Sequence, residues 1–370
     1  MTIANHVPVK VLALSPIPEE GAGCRFRVSQ YIPYLRNAGF EVTVSPFYSR
    51  DYFSIVYRPG NYLRKAIGFL SLTWRRIREL FSIRKYDLVF LYREAIPIGP
   101  PLIERWIHRA GIPIVYDFDD AIFLPAVSDA NKAFSFLKSS KRASQILRIS
   151  DQVSVGNEFL ASYARQFNSH VTVIPTAVDT NRFAPRGDVL PAEGRTLVVG
   201  WIGSPTTFQY LESLRDVLAA VAARHPFTLK VSGAGRAVDF PGVNVEVVPW
   251  SMADEVTLFN TCDIGVYPLS DDDWARGKCG FKAIQCMACG VPVVAAAVGV
   301  NREIITHGVD GMLASTRQEW IDHLSRLLID AALRQRMALA GRRTIQSRYS
   351  LDVTAPQLAG VLRAALQFQP

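Results

Sequence analysis

The side chains best suited to chemistry lie in residues 274–292, WARGKCGFKAIQCMACGVP. Gly277 and Gly280 bracket only two residues, so backbone amides can approach a ligand with no Cβ in the way. Lys278 and Lys282 lie four apart, which predicts both on one face of a helix starting in this segment. Residues 284–288 read as a buried helix ending at Gly290, with Pro292 beyond it. A glycine loop feeding a helix N-terminus beside two cations suits a diphosphate. The plainer reading is a glycine turn with two solvated lysines. A second group is Asp117, Asp119 and Asp120, at the carboxyl end of a predicted strand (residues 113–117, PIVYD), where open α/β sheets hold ligands. They suit a polar role facing an acceptor. A calcium shell needs more oxygen ligands than this stretch supplies, and helix capping near Ala121 is the plainer alternative. A third group, Gly21, Gly23, Arg25 and Arg27, follows the first predicted strand.

Two alternating α/β halves hold these groups. Residues 10–15 (KVLALS) form a strand, a glycine-bearing turn follows, residues 26–37 turn helical around Pro33, and residues 41–44 begin a second strand. That is a βαβ unit of the Rossmann kind, without the GxGxxG spacing of a dinucleotide fingerprint. Strands follow at 87–92, 113–117, 152–154 and 171–175, with helices at 101–109 and 141–149. Residues 183–196 hold two Pro, two Gly and four charges and read as an interdomain linker. A second alternation begins with a strand at 196–200 and a loop at 201–207 (WIGSPTT). Helices at 211–224, 254–262, 318–340 and 356–367 and strands at 228–232, 243–248, 264–267 and 293–295 complete it. The expected domains are 1–187, 188–345, and a terminal segment 346–370 whose helix crosses back to the first domain.

Residues 62–81 carry apolar side chains at Leu63, Ile67, Leu70, Trp74, Ile77 and Phe81, the rhythm of a long amphipathic helix. Its polar side holds Arg64, Lys65, Arg75, Arg76 and Arg78 against one acid, Glu79. Such a helix can lie on an anionic membrane; the alternative is an ordinary helix packing its stripe on its own sheet.

The chain has 370 residues, 49% hydrophobic and 20% charged, with net charge +8, which fits two cores and an anionic partner. No apolar run reaches the roughly 18 to 20 residues of a membrane span, and the N-terminal segment does not read as a signal peptide. The odd cysteine count (Cys24, Cys262, Cys279, Cys286, Cys289) argues against a disulfide framework or zinc site. Cys286 and Cys289 form one CxxC inside an apolar helix, read as core packing rather than redox chemistry. A reduced, cytoplasmic setting follows, peripheral on the inner membrane face if the basic helix docks there. The basic residues cluster without RNA-module aromatics, so no nucleic acid is expected.

The ordered stretches GWIGSPTTFQYL, CDIGVYPL, GKCGFKAIQCMACGVPVV and VGVNREIITHGVDGML resemble glycosyltransferase family 4, covering residues 196–315 well and the first half in outline. The resemblance implies an α/β GT-B fold, two Rossmann-like domains facing each other across a central cleft. It implies a retaining transferase moving a sugar, hexosyl or deoxyhexosyl, from a nucleotide-diphosphate-sugar to a hydroxyl on a glycan or lipid-linked acceptor. It implies no metal and no cofactor, the nucleotide-sugar being a substrate, and a place in surface polysaccharide or glycolipid assembly. Residue by residue, Gly203, Ser204, Thr206 and Thr207 would face the donor diphosphate. Lys278, Cys279, Gly280 and Phe281 would lie over diphosphate and sugar, and Gln285 would take the ribose position. Gly21 and Gly23, with Arg25 beside them, would close on the phosphates.

The usual Glu-x7-Glu positions are Gly277 and Gln285 here, and the usual Arg and Lys after the first strand of the second half are absent from SPTT. Lys278 and Lys282, with the hydroxyls of Ser204, Thr206 and Thr207, are the candidates for offsetting leaving-group charge, while Asp119 and Asp120 could orient acceptor or sugar. His307, inside a matched stretch, reads as structural. Two other readings are a nucleotide-sugar epimerase of the same fold and a non-catalytic nucleotide-sugar-binding protein.

Overall fold

The computed structural model describes residues 7–58, 60–124, 141–186 and 194–367. The chain divides into two compact units, Met1–Thr176 with Thr354–Pro370, and Ala177–Val353.

The first unit is a six-stranded parallel sheet: β1 (Val9–Ser15), β2 (Phe40–Pro46), β3 (Leu88–Tyr92), β4 (Ile114–Phe118), β5 (Gln152–Val155) and β6 (Val171–Val173), in the order β2-β1-β3-β4-β5-β6. β3 and β4 are buried at every position, which is why they read as continuous apolar runs rather than alternating ones. The helical stretch expected at 26–37 is two pieces, α1 (Ala22–Arg27) and α2 (Ile32–Asn37), joined by a 3-10 turn. Pro33 sits in the first turn of α2, where its missing N–H costs nothing. Next come α3 (Arg50–Val56), α4 (Tyr62–Leu80), α5 (Leu102–Arg109), α6 (Lys141–Ile149) and α7 (Glu158–Ala164).

The apolar stripe of α4 does not pack on the sheet. Leu63, Ile67, Leu70 and Trp74 are exposed, and the helix buries the opposite face. Arg76 is anchored there: Nε donates to the Ala95 carbonyl at 3.2 Å, Nη2 to the Ser45 carbonyl and Nη1 to Ser45 Oγ, each at 2.8 Å, with Glu79 as ion-pair partner. A buried guanidinium is tolerated only when its donors are matched in this way. Phe69 meets Phe47 at a ring distance of 5.2 Å, and Tyr52 Oη donates to the Lys65 carbonyl.

The second unit is also a parallel six-stranded sheet: β7 (Leu197–Ile202), β8 (Phe227–Ser232), β9 (Asn244–Val248), β10 (Ile264–Tyr267), β11 (Val293–Ala296) and β12 (Met312–Ala314), in the order β12-β11-β10-β7-β8-β9. Its helices are α8 (Phe208–Glu212), α9 (Arg215–Ala222), α10 (Glu255–Asn260), α11 (Asp273–Arg276), α12 (Phe281–Ala288), α13 (Asn301–Ile304), α14 (Arg317–Ile329) and α15 (Ala331–Arg348). The single helix expected at 318–340 is α14 plus α15. Asp330 ends the first and caps the second, accepting from the Leu333 amide at 2.7 Å. Thr316 and Glu319 form a capping box at the start of α14. Phe183 is fully buried and Arg342 donates to its carbonyl at 2.9 Å, so this part of the expected linker packs inside the second unit.

The last helix, α16 (Leu351–Gln367), begins earlier than expected and carries Pro356 within it. From Thr354 onward it belongs to the first unit. Tyr31 Oη donates to Thr354 Oγ1 at 3.1 Å, Arg363 donates to the Ala38 carbonyl at 2.8 Å, and Leu358, Leu362 and Ala365 are buried. Among the described residues no helix is long and apolar enough to cross a membrane.

Candidate functional site

In the second unit the strand order reverses between β10 and β7. Open α/β sheets hold ligands beside such a reversal, at the carboxyl ends of the strands. The segments following β7 and β10 there are the ones singled out in the sequence.

After β7, the Gly203 amide donates to the Ser232 carbonyl at 3.0 Å, tying this loop to the end of β8. The Ser204 amide donates to Thr207 Oγ1 at 2.9 Å. The Ser204 hydroxyl lies 3.0 Å from that of Thr206 and 3.1 Å from that of Thr207. Gly233, at φ 85°, is packed so closely on the Gly203 carbonyl that no Cβ fits between them.

After β10, Asp272 caps α11 by accepting from the Ala275 amide at 2.7 Å. Lys278 is half-buried in the turn that follows, its amide donating to the Ala275 carbonyl and its Nζ lying 5.7 Å from the Trp274 ring centroid. Helix α12 then starts at Phe281. Gly280 takes a left-handed conformation, φ 63°, ahead of it. The expectation that Lys278 and Lys282 share one helical face is therefore corrected: the backbone reverses at Gly280 and only Lys282 is in the helix. Gly280 packs against Val300, Asn301 and Ile304, and Asn301 Nδ2 donates to the Ala296 carbonyl at 3.0 Å. The loop bearing Lys278 is thus braced by the turn after β11. Cys279 is buried and Phe281 half-buried.

Lys282 Nζ donates to Gln285 Oε1 at 2.8 Å, and Gln285 Nε2 donates to Glu255 Oε1 at 3.1 Å. Arg182 faces the other Glu255 oxygen at 3.7 Å. Gln285 and Glu255 are both buried. This chain accounts for the amide at position 285: its nitrogen supplies a donor that a carboxylate lacks. Glu255 and Arg182 escaped the sequence reading because each lies tens of residues from its partner, with no local spacing to mark it. Burial pushes the Cys286 thiol well above its ordinary value, and those of Cys262 and Cys289 up to about 12. A thiol raised in this way holds little of the thiolate that acts as nucleophile or metal ligand near neutral pH. His307 Nδ1 accepts from the Leu313 amide at 3.0 Å.

In the first unit the strand order reverses between β1 and β3. Gly21 precedes α1 in extended conformation, and a Cβ on it would stand 2.6 Å from Ile17 Cδ1. Gly23 packs on the Tyr92 hydroxyl too closely for any Cβ. Arg25 is buried, its Nη1 donating to the Glu19 carbonyl at 3.3 Å. The three acids separate by role. Asp117 is buried and accepts from Arg27 Nε at 2.9 Å, Arg27 Nη2 at 2.5 Å and Ser154 Oγ at 2.5 Å, which fixes α1 to the sheet. Asp119 accepts from Tyr92 Oη at 2.8 Å and Arg93 Nη2 at 2.7 Å, and Arg93 also pairs with Asp120. Burial alone would raise the Asp119 pKa, but the charges of Arg93 and Arg27, with hydrogen bonds from Arg93 and Tyr92, hold it below the ordinary aspartate value. Among the described residues no helix begins at Ala121, and both carboxylates pair with Arg93 instead. Arg93 adopts φ 57°, uncommon for a residue other than glycine. That conformation left no mark in the sequence. Among the described residues no group of three or more His, Cys, Asp or Glu is placed to hold a metal ion.

Residues 196–330 match the family model described as Glycosyl transferases group 1. The D-inositol 3-phosphate glycosyltransferase of Stackebrandtia nassauensis is 30% identical over 238 residues, covering 57% of this chain and 52% of that protein. The chain thus spans about half the length of the curated relatives it matches. Among solved structures, sucrose-phosphate synthase from Thermosynechococcus elongatus superposes with a TM-score of 0.68 at 17% identity, covering 97% of this chain and 98% of that one. Anabaena HepE in complex with UDP-glucose gives 0.65 at 18% identity, covering 97% and 100%. The chain therefore has the GT-B fold, two parallel Rossmann-like sheets, and its residues 196–330 are matched to the glycosyl transferases group 1.

Proposed function

We propose that the protein transfers a sugar from a nucleotide-diphosphate-sugar to an acceptor hydroxyl with retention at the anomeric carbon. The observation that carries this reading is the gathering, at one strand-order reversal of the second unit, of the hydroxyl loop at 203–207 and the Lys278–Gly280 turn that opens α12. The UDP-glucose complex of Anabaena HepE, which shares the fold, supports a donor of this class.

The donor diphosphate rests on the backbone amides at the start of α12 and on Lys278, with Lys282 held beside it by Gln285. The bond from the anomeric carbon to the diphosphate oxygen breaks first and its electron pair leaves with the diphosphate, whose growing charge the ammonium groups offset. The acceptor oxygen bonds to the oxocarbenium-like carbon on the same face, and its proton passes to a phosphate oxygen. No protein nucleophile takes part. Asp119, kept ionised by Arg93, is suited to orienting a hydroxyl.

A melting-temperature screen against UDP, GDP, dTDP and their sugars identifies the donor, since a ligand of the folded state raises the midpoint. With that donor, Lys278→Ala lowers turnover about ten- to a thousandfold. Unchanged turnover removes Lys278 from the reaction. Donor epimerised in the absence of acceptor, or binding without turnover by the unaltered protein, refutes the transferase reading.

A further inference from the structure

We propose that the outward face of α4 docks on an anionic lipid bilayer, the helix lying flat with its apolar stripe among the acyl chains. This rests on the first unit alone and not on the transferase reading. Leu63, Ile67, Leu70, Trp74 and Phe81 are 75%, 60%, 68%, 61% and 83% exposed. Their spacing, four, three, four and then seven residues, aligns them in one continuous band on a straight helix. A soluble surface rarely leaves so much contiguous apolar area uncovered without a partner.

The charge around the band identifies that partner. Arg64 and Arg78 flank it, and Arg58, Arg84 and Lys85 lie exposed just before and after the helix. Glu79, the single acid of α4, faces the opposite way in its pair with Arg76. A band of large apolar side chains whose exposed charged neighbours on α4 are all basic matches the boundary between acyl chains and anionic headgroups. A second copy of the chain fits poorly, because a two-fold contact would set one basic margin against the other. The helix is held in this orientation by Arg76, whose bonds to Ser45 and Ala95 leave the stripe no route to the core.

The test is co-sedimentation of the full chain with vesicles of phosphatidylcholine alone, or with about one-third phosphatidylglycerol. Binding to the anionic vesicles only, weakening as salt rises, is expected. Leu70→Ser with Trp74→Ser should reduce partitioning at least about tenfold. Arg64→Gln with Arg78→Gln should reduce it about fivefold per charge removed. Melting temperature should hold in both variants, because the altered side chains are exposed. Binding indifferent to phosphatidylglycerol, or variants that partition like the parent, overturns the proposal. So does a dimer in analytical ultracentrifugation that the apolar variant abolishes while vesicles are ignored.

Discussion

Gly280→Ala isolates the turn on which the candidate diphosphate site depends. At φ 63° an L-residue loses about 1–2 kcal/mol relative to glycine. The added methyl would also collide with Ile304 Cδ1 and stand 3.1 Å from Val300 Cγ1. Both neighbours are buried, so repacking adds about 1–3 kcal/mol. The sum, about 2–5 kcal/mol, corresponds to a melting-temperature fall of about 4–20 °C for a unit of this size. Two controls separate the terms in differential scanning calorimetry. Gly308 has φ 79° but open space where its Cβ would stand, so Gly308→Ala should show the backbone term alone. In an Ile304→Val background the clashing Cδ1 is gone, and the cost of Gly280→Ala should fall toward that of Gly308→Ala. If Gly280→Ala costs the same in both backgrounds, or no more than Gly308→Ala, the close packing of this turn against α13 is not what demands glycine.

Gln285→Glu would set a second carboxylate against Glu255 in a buried place, where like-charge repulsion raises one pKa of the pair even with Lys282 and Arg182 beside it. The raised group keeps a proton in the folded chain that the unfolded chain releases. The penalty, about 3 kcal/mol or more at neutral pH, is therefore largest above the raised value and fades as pH falls toward the ordinary glutamate pKa. Adding Glu255→Gln should restore stability; equal urea midpoints for Gln285→Glu and the parent at neutral pH refute the account. For Asp119 the sign is opposite. Its folded pKa is depressed, so its stabilising contribution is full above the ordinary aspartate pKa and is lost as pH falls through the lower folded value. The stability gap between the parent and Asp119→Asn should hold across the neutral range and close in acid. A gap that does not narrow with acid rules out the ionised carboxylate as its source.

The fold was legible where burial is two-sided. The runs at 88–92 and 114–118 announce central parallel strands because every side chain there is inside. The glycine turn and the capped end of α12 were legible too, because Gly280 and Gly290 both take positive φ, at 63° and 68°. What escaped depends on distant partners. Hydrophobic periodicity located α4 but could not say which face is buried, since Arg76 is held by Ser45 and Ala95, far away in sequence. The break between α14 and α15 turns on Asp330, whose capping bond interrupts an otherwise continuous helical pattern. The Lys282–Gln285–Glu255 chain spans two helices that only the folded second unit joins.

The return of α16 to the first unit bears on how the chain matures during synthesis. Residues 177–353 form their unit from one uninterrupted stretch. The first unit is left without Leu358, Leu362 and the Tyr31–Thr354 bond until the closing helix has left the ribosome. The middle of the polypeptide can therefore settle before its beginning does, reversing the usual vectorial order. A first unit still lacking that helix is the stage at which a nascent chain would most need a chaperone.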